Sequence, residues 1–443
     1  MLFDQKMRKF IIFLLFLYSS PVFPQSLSSE QIKKDIDSVI TVLSTIHPTF
    51  NETSKKQALL VFRDTINTSL TIHELFKILQ PLVALDGHTT LQFTGSIFPE
   101  VENPLLPFGT IAFDNRLYVK HNLSSNALLR KGTEILKING TPASDIIDNI
   151  INYLPGENPE YKIRKLDNEA FSNWYRLVYG NFGKFEIEYS GPDGPRSTTV
   201  EGTHWDQFPK YEEDSHLFRI MDQNIAYLKV GPFRKPKIFL SFIDSVFTEI
   251  KIQEIHTLII DKTQGGGFSM LTDSLLSFIT DKSFCDLEKK KIRISTETEE
   301  FINDIIDEGK QKGDYFVVSK KPRPPIGKSN RFKGNVYILT GPRAYSAATM
   351  FIAMAKCYTN SIIVGEETGQ PLISNGDISR FKLPNSGMYL YTSLSIYYLP
   401  CARNKHDGVK PDYEIRLTKE DLLYDVDKYL EFAIQLIKQK QER

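Results

Sequence analysis

Val336-Tyr337-Ile338-Leu339-Thr340-Gly341-Pro342-Arg343-Ala344-Tyr345-Ser346-Ala347-Ala348 runs from an apolar strand, through a Gly-Pro turn, into a stretch rich in Ala and Met. The pattern predicts a buried strand followed by a helix over Ser346–Tyr358. Two neighbouring stretches repeat the theme. Upstream, Thr257–Asp261 is a continuous apolar strand ending in a carboxylate, followed by Lys262-Thr263-Gln264-Gly265-Gly266-Gly267. Downstream, Ile362-Ile363-Val364 leads into Gly365-Glu366-Glu367-Thr368-Gly369. Ile225–Val230 reads as another strand, and Phe239–Ile250 and Met270–Ile279 read as helices. Buried apolar strands alternating with helices predict an α/β layer with parallel pairs over 211–443.

In an open α/β sheet, ligands bind beyond the carboxyl ends of the strands. All three loops lie there. Ser346 would stand at a helix N-terminus, where the dipole favours negative charge. The amide of Ala347 would be one oxyanion donor, and Gly266 or Gly267 a second, because consecutive glycines allow close backbone approach. Read locally, Ser346 is more simply a helix N-cap, for which Ser is a favoured residue.

The rest of the chain divides into three parts. Lys6, Arg8 and Lys9 precede an apolar run from Phe10 to Tyr18 and then Ser19-Ser20-Pro21. That is the pattern of a secretory signal peptide over 1–25. It implies export to a periplasm or the medium, with no stable membrane insertion after cleavage. Residues 26–100 read as a helical cap. Ile32, Ile36, Ile40, Leu43 and Ile46 recur at helical spacing, and Thr71 with Glu74 makes a capping box. Residues 101–210 read as a β-rich module. In it Gly132-Thr133-Glu134-Ile135-Leu136-Lys137-Ile138-Asn139-Gly140 carries a glycine turn, an alternating strand and an Asn-Gly turn.

The 443 residues are too many for one core and predict several domains. A net charge of zero gives no electrostatic footprint for nucleic acid. The three cysteines match no metal spacing. In a chain this long, buried free thiols are expected at Cys285, Cys357 and Cys401, with one disulfide as the alternative after export.

Taken in order, these pieces resemble the tail-specific (C-terminal processing) serine protease family. The resemblance spans roughly residues 70 to 420 and rests on these segments. They are Asp261 with Gly265–Gly267, the Thr340–Ala348 run, Gly365–Gly369, and Gly408-Val409-Lys410-Pro411-Asp412. The Gly132–Gly140 run resembles a PDZ domain, which binds peptide C-termini by adding a strand to a sheet edge. The resemblance implies a crotonase-like catalytic core and a Ser346 nucleophile. It also implies oxyanion amides from Ala347 and Gly266 or Gly267, and cleavage of polypeptides, recognised by the C-terminus, without metal or organic cofactor. It gives no expectation of oligomeric state.

Many members take the serine proton with a Lys after the third strand. Here Gln370 or Pro371 fills that slot, and neither is a base. Leu85-Asp86-Gly87-His88-Thr89 instead resembles the Asp-Gly-His motif of the His-using, tricorn-core-like branch, which makes His88 the expected general base. The acid that branch carries before Gly-Val-x-Pro-Asp is replaced near Lys405, leaving Asp407 and Glu367 as candidates. Asp261 is expected to anchor the glycine loop. The altered acid and loop residues leave a second reading, a catalytically silent peptide- or apolar-ligand-binding protein on the same scaffold.

Overall fold

The structure, a computed structural model, describes residues 26–93, 104–180, 182–210, 216–221, 224–296, 298, 311–404 and 406–442. The expected signal segment 1–25 and Lys405 lie outside these residues.

The N-terminal part contains β1 (Ser26–Leu27), helices Ser29–Thr45 and Ser54–Thr65, β2 (Leu70–Thr71), helix Ile72–Val83 and β3 (Thr90–Gln92). Ser28 with Gln31, and Thr71 with Glu74, close reciprocal capping boxes that start two of these helices. Ile32, Ile36, Val39 and Leu43 put one buried stripe on the first helix.

The second part runs through β4 (Phe108–Phe113), β5 (Arg116–Asn122), β6 (Glu134–Ile138) and β7 (Thr141–Pro142). Helices Ala143–Ile151, Pro159–Arg164 and Ala170–Tyr179 follow, then β8 (Lys184–Gly191) and β9 (Gly194–Glu201). Asn139 and Gly140 both take positive φ, as a two-residue hairpin between β6 and β7 requires. The strands form an antiparallel sheet in the order β4-β5-β6-β8-β9. The cap and this module share one hydrophobic core, to which the cap contributes Leu75, Phe76 and Leu79 and the module Phe108, Ile146 and Phe171.

The outer edge of β4 is not open to an added strand. Thr110 and Asn168 exchange amide hydrogen bonds of 3.1 and 2.7 Å, and Arg164 donates to the Ala112 carbonyl at 2.8 Å. The chain's own segment 164–168 therefore occupies this edge. Among the described residues β9, at the other end, pairs only with β8.

The third part holds β10 (Leu217–Met221), β11 (Ile225–Lys229), β12 (Thr257–Asp261), β13 (Gln264–Gly265), β14 (Lys289–Arg293), β15 (Tyr315–Ser319), β16 (Asn335–Thr340), β17 (Arg343–Ala344), β18 (Ile362–Gly365), β19 (Ile373–Lys382), β20 (Tyr389–Tyr398) and β21 (Tyr413–Glu414). The main sheet has the order β10-β11-β12-β16-β18-β21, parallel from β11 onward. Alternation along its strands sorts the side chains. Leu258, Ile260, Ile338 and Ile363 face helices Pro236–Ile252, Ser269–Leu276 and Ala347–Tyr358. Ile259, Tyr337, Leu339 and Val364 face helix Lys428–Gln441. Covered on both faces, the strands read as continuous apolar runs.

A second, antiparallel sheet, β15-β14-β20-β19, goes beyond the expected α/β layer. It receives β3 of the cap on β20, with Leu91 opposite Leu390. This pairing brings the Asp86–Thr89 turn onto the catalytic part.

Candidate active site

Ser346 is placed by the turn that leaves β16. The short strand β17 pairs in parallel with β13, and Tyr345 donates its amide to the Gly265 carbonyl at 3.0 Å. The turn then forces Ser346 to φ 55 and ψ −123. A non-glycine residue in that region costs of the order of 1–3 kcal/mol, and such strain concentrates at functional sites. Ser346 occupies the N-cap position of helix Ala347–Tyr358, yet its side chain makes no capping hydrogen bond. The simple cap reading therefore does not describe this serine. Its amide donates to Gln370 Oε1, and Gln370 Nε2 donates to Ser374 Oγ at 2.6 Å. Gln370, in the slot where a lysine base was absent, braces the serine backbone. The Ala347 amide is the first of the helix and has no intrahelical acceptor.

The glycine loop lies directly against this serine. A Cβ built on Gly266 would stand 3.3 Å from Ser346 Cβ. Gly267 has φ +121, and a Cβ there would fall 2.3 Å from the Phe233 carbonyl oxygen. Lys262, fully buried, holds the loop by donating to the carbonyls of Val230, Gly231 and Gln264 at 3.1, 2.9 and 3.0 Å. Burial pushes its ammonium down to about 7, against the pull of Asp261. Asp261 accepts from Tyr227 Oη at 2.7 Å and from the amide and hydroxyl of Thr263 at 3.1 and 2.8 Å. That is the anchoring place expected of it.

His88 is presented by a turn built on Asp86. One carboxylate oxygen of this buried residue accepts the amides of His88 and Thr89, both at 2.8 Å. The other accepts from Asn375 Nδ2 and pairs with His47 Nε2, both at 2.9 Å. Burial alone would raise the Asp86 pKa. Its bond and pairing with His47, with the nearby His88 and Asn375, outweigh burial and hold it well below the usual range. The His88 ring packs edge-on against Tyr345, with centroids 5.3 Å apart. Burial lowers its pKa below the ordinary value, and Asp86, the Asn375 carbonyl and Asp377 only partly oppose that.

Ser346, Ala347, Gly266, Gly267 and His88 all line one cleft of about 720 Å³. Phe268, Met350, Ile378, Tyr397 and Leu399 give it apolar walls. The two acid candidates are elsewhere. Glu367 accepts the Gly408 amide, and Asp407 is bonded by Asn404 Nδ2 at 2.8 Å and paired with Lys410 at 3.1 Å. Neither lines the cleft, because each is spent on fixing the loop around Gly408. No carboxylate reaches the buried His88 Nδ1. That nitrogen has no hydrogen-bond partner among the described residues. Tyr345, Gln370 and Asn375 are the site residues missed; a signal existed only for Tyr345, which adjoins the serine.

The cysteines also depart from expectation. Cys357 and Cys401 form a disulfide, and Cys285 is buried and free. The pair joins the end of the Ser346 helix to the loop after β20, two points brought together by tertiary packing. Among the described residues no group of three or more His, Cys, Asp or Glu side chains is placed to hold a metal ion. No helix of the described residues is long and apolar enough to cross a membrane.

Residues 224–415 match peptidase family S41. A sequence search of characterised proteins returns no match. Among solved structures, mature CPAF complexed with lactacystin superposes with a TM-score of 0.67 at 15% identity, covering 93% of this chain and 98% of that one. Mature CPAF alone gives a TM-score of 0.64 at 16% identity over 92% of this chain and 96% of that one. These likenesses show a shared fold across nearly the whole chain. Residues 224–415 are a domain of peptidase family S41, and by that domain the chain is a serine peptidase.

Proposed function

We propose that the chain is an exported serine endopeptidase in which Ser346 is the nucleophile and His88 the general base. Ser346 Oγ attacks the scissile carbonyl while His88 takes its proton. The amides of Ala347 and of Gly266 or Gly267 hold the oxyanion. His88 returns the proton to the leaving amine, and water then cleaves the acyl-enzyme by the same steps in reverse. The observation that carries this reading is the strained, non-capping conformation of Ser346 beside the glycine loop, in the cleft that also receives His88.

Among the described residues no carboxylate bonds the His88 ring, so the turn built on Asp86 is what positions the base. An imidazolium with no carboxylate bonded to it is less stabilised than one in a full triad, so a modest turnover is expected. The core would be crotonase-like and the β4–β9 module PDZ-like. With the β4 edge filled, a substrate tail would have to use the β9 edge or no strand addition at all. The basic and apolar start of the chain and the Cys357–Cys401 bond both support export to an oxidising compartment.

A fluorophosphonate probe tests the reading. It is expected to label the wild-type chain at Ser346, and Ser346→Ala and His88→Ala are each expected to abolish labelling. Failure of the folded wild-type chain to label would favour the silent binding protein instead, a reading that the displaced acids Asp407 and Glu367 support.

A further inference from the structure

Tyr345 is buried, and its ring is where three distant parts of the chain meet. Its hydroxyl donates to Glu157 Oε2 at 2.5 Å and accepts the Gly87 amide at 3.1 Å. Tyr161 stacks on it with centroids 4.5 Å apart and planes 22° apart. His88 meets it edge-on. The fit at Gly87 is tight: a Cβ there would stand 2.1 Å from the Tyr345 hydroxyl. Glu157 and Tyr161 belong to the insert between helices Ala143–Ile151 and Ala170–Tyr179. That insert is pinned on its other side to β4 through Arg164 and Asn168.

The chemistry of the hydroxyl matters here. Glu157 Oε2 accepts the Tyr345 hydroxyl proton. Glu157 therefore commits the Tyr345 proton to itself and leaves an oxygen lone pair for the Gly87 N–H. Gly87 immediately precedes His88, and Tyr345 immediately precedes Ser346. One side chain thus ties the backbone of the base to the backbone of the nucleophile. Gly87 and Tyr345 are 258 positions apart, so no local structure supplies that tie.

We infer that Tyr345, oriented by Glu157, is a positioning residue that holds the His88 turn in register with Ser346. The inference rests on the Ser346–His88 reading above. It assigns the insert a role in completing the active site.

The test is inactivation of the full chain by a fluorophosphonate, resolved into kinact and KI, with thermal unfolding as the control for folding. Tyr345→Phe keeps the ring stack and loses the hydroxyl. It is expected to lower kinact about tenfold to a hundredfold with KI unchanged, as a small misplacement of reacting groups does. Glu157→Ala is expected to act in the same direction. Glu157→Gln, whose amide oxygen still accepts the hydroxyl proton, is expected to recover most of the rate. Glu157 is exposed, so its variants are expected to fold even if Tyr345→Phe does not. Wild-type kinact in folded Glu157→Ala and Tyr345→Phe overturns the assignment while leaving Ser346 and His88 in place. Labelling that survives Ser346→Ala or His88→Ala overturns the Ser-His reading and this inference with it.

Discussion

At the scale of single residues, the balance around His88 decides how the site responds to pH. A general base works only when neutral. Burial lowers the His88 pKa from its ordinary 6.5, so the neutral form persists further into acid. Glu157 complicates the profile, because crowding by protein and the charge of Asp86 push its carboxyl up to about 7. Measured in Glu157→Gln, which removes that second group, the labelling rate is expected to fall on the acid side with a midpoint below 6.5. A midpoint at or above that value contradicts the burial argument. Gln370 shows how far residue reading carried. Its failure as a base was legible in its chemistry, but its bond to the Ser346 amide depends on a turn that only the folded chain makes.

At the scale of elements, the glycine loop and the serine turn form one device. β13 and β17 zip them together, and Lys262 pins the loop from beneath. Gly267→Ala puts a methyl against the Phe233 carbonyl at a positive φ. It is expected to cost about 2 kcal/mol in stability. Displacing one oxyanion amide is expected to lower the labelling rate by about a hundredfold. Gly327→Ala, which meets nothing within 4 Å, serves as the neutral comparison in denaturant titrations. A Gly267→Ala protein as stable and reactive as Gly327→Ala would remove the loop from the mechanism. The strands of the parallel sheet were readable because both faces are buried and each is a continuous apolar run. The antiparallel sheet escaped notice for the opposite reason. β14 is rich in lysine and β20 in Tyr, Ser and Thr, and their partners lie far away in sequence, as Leu390 opposite Leu91 shows.

At the scale of the whole molecule, the catalytic part is assembled around the other two. The cap and the β-module share one core, and that core also takes Leu390 from the antiparallel sheet and Leu383 and Met388 from the turn between β19 and β20. Asp35 on the first helix accepts the amides of Asn385 and Ser386, both at 2.8 Å, and so clamps the turn between β19 and β20. The Cys357–Cys401 bond closes a loop with a sequence separation of 44 on the opposite side. Cys401→Ser is expected to destabilise the oxidised protein by about 3 kcal/mol, read as a lower denaturant midpoint. Addition of a reductant is expected to bring the wild-type chain to the same midpoint. Indifference of the wild-type midpoint to reductant would show that the bond contributes nothing.

The sequence by itself determined the chemistry available: a serine after a Gly-Pro turn, a glycine triplet after an apolar strand, and a histidine in an Asp-Gly-His turn. Those are local patterns, set by side-chain identity and by the backbone freedom of glycine. Tertiary structure alone decided which groups meet. It set Asp407 and Glu367 to hold a loop, put Asn375 on the Asp86 carboxylate that carries the His88 turn, and brought Glu157 to Tyr345. The physical reason is common to all three. Many residues carry a carboxylate or an amide, so identity does not mark the one that serves. Only the packing of segments hundreds of positions apart selects it.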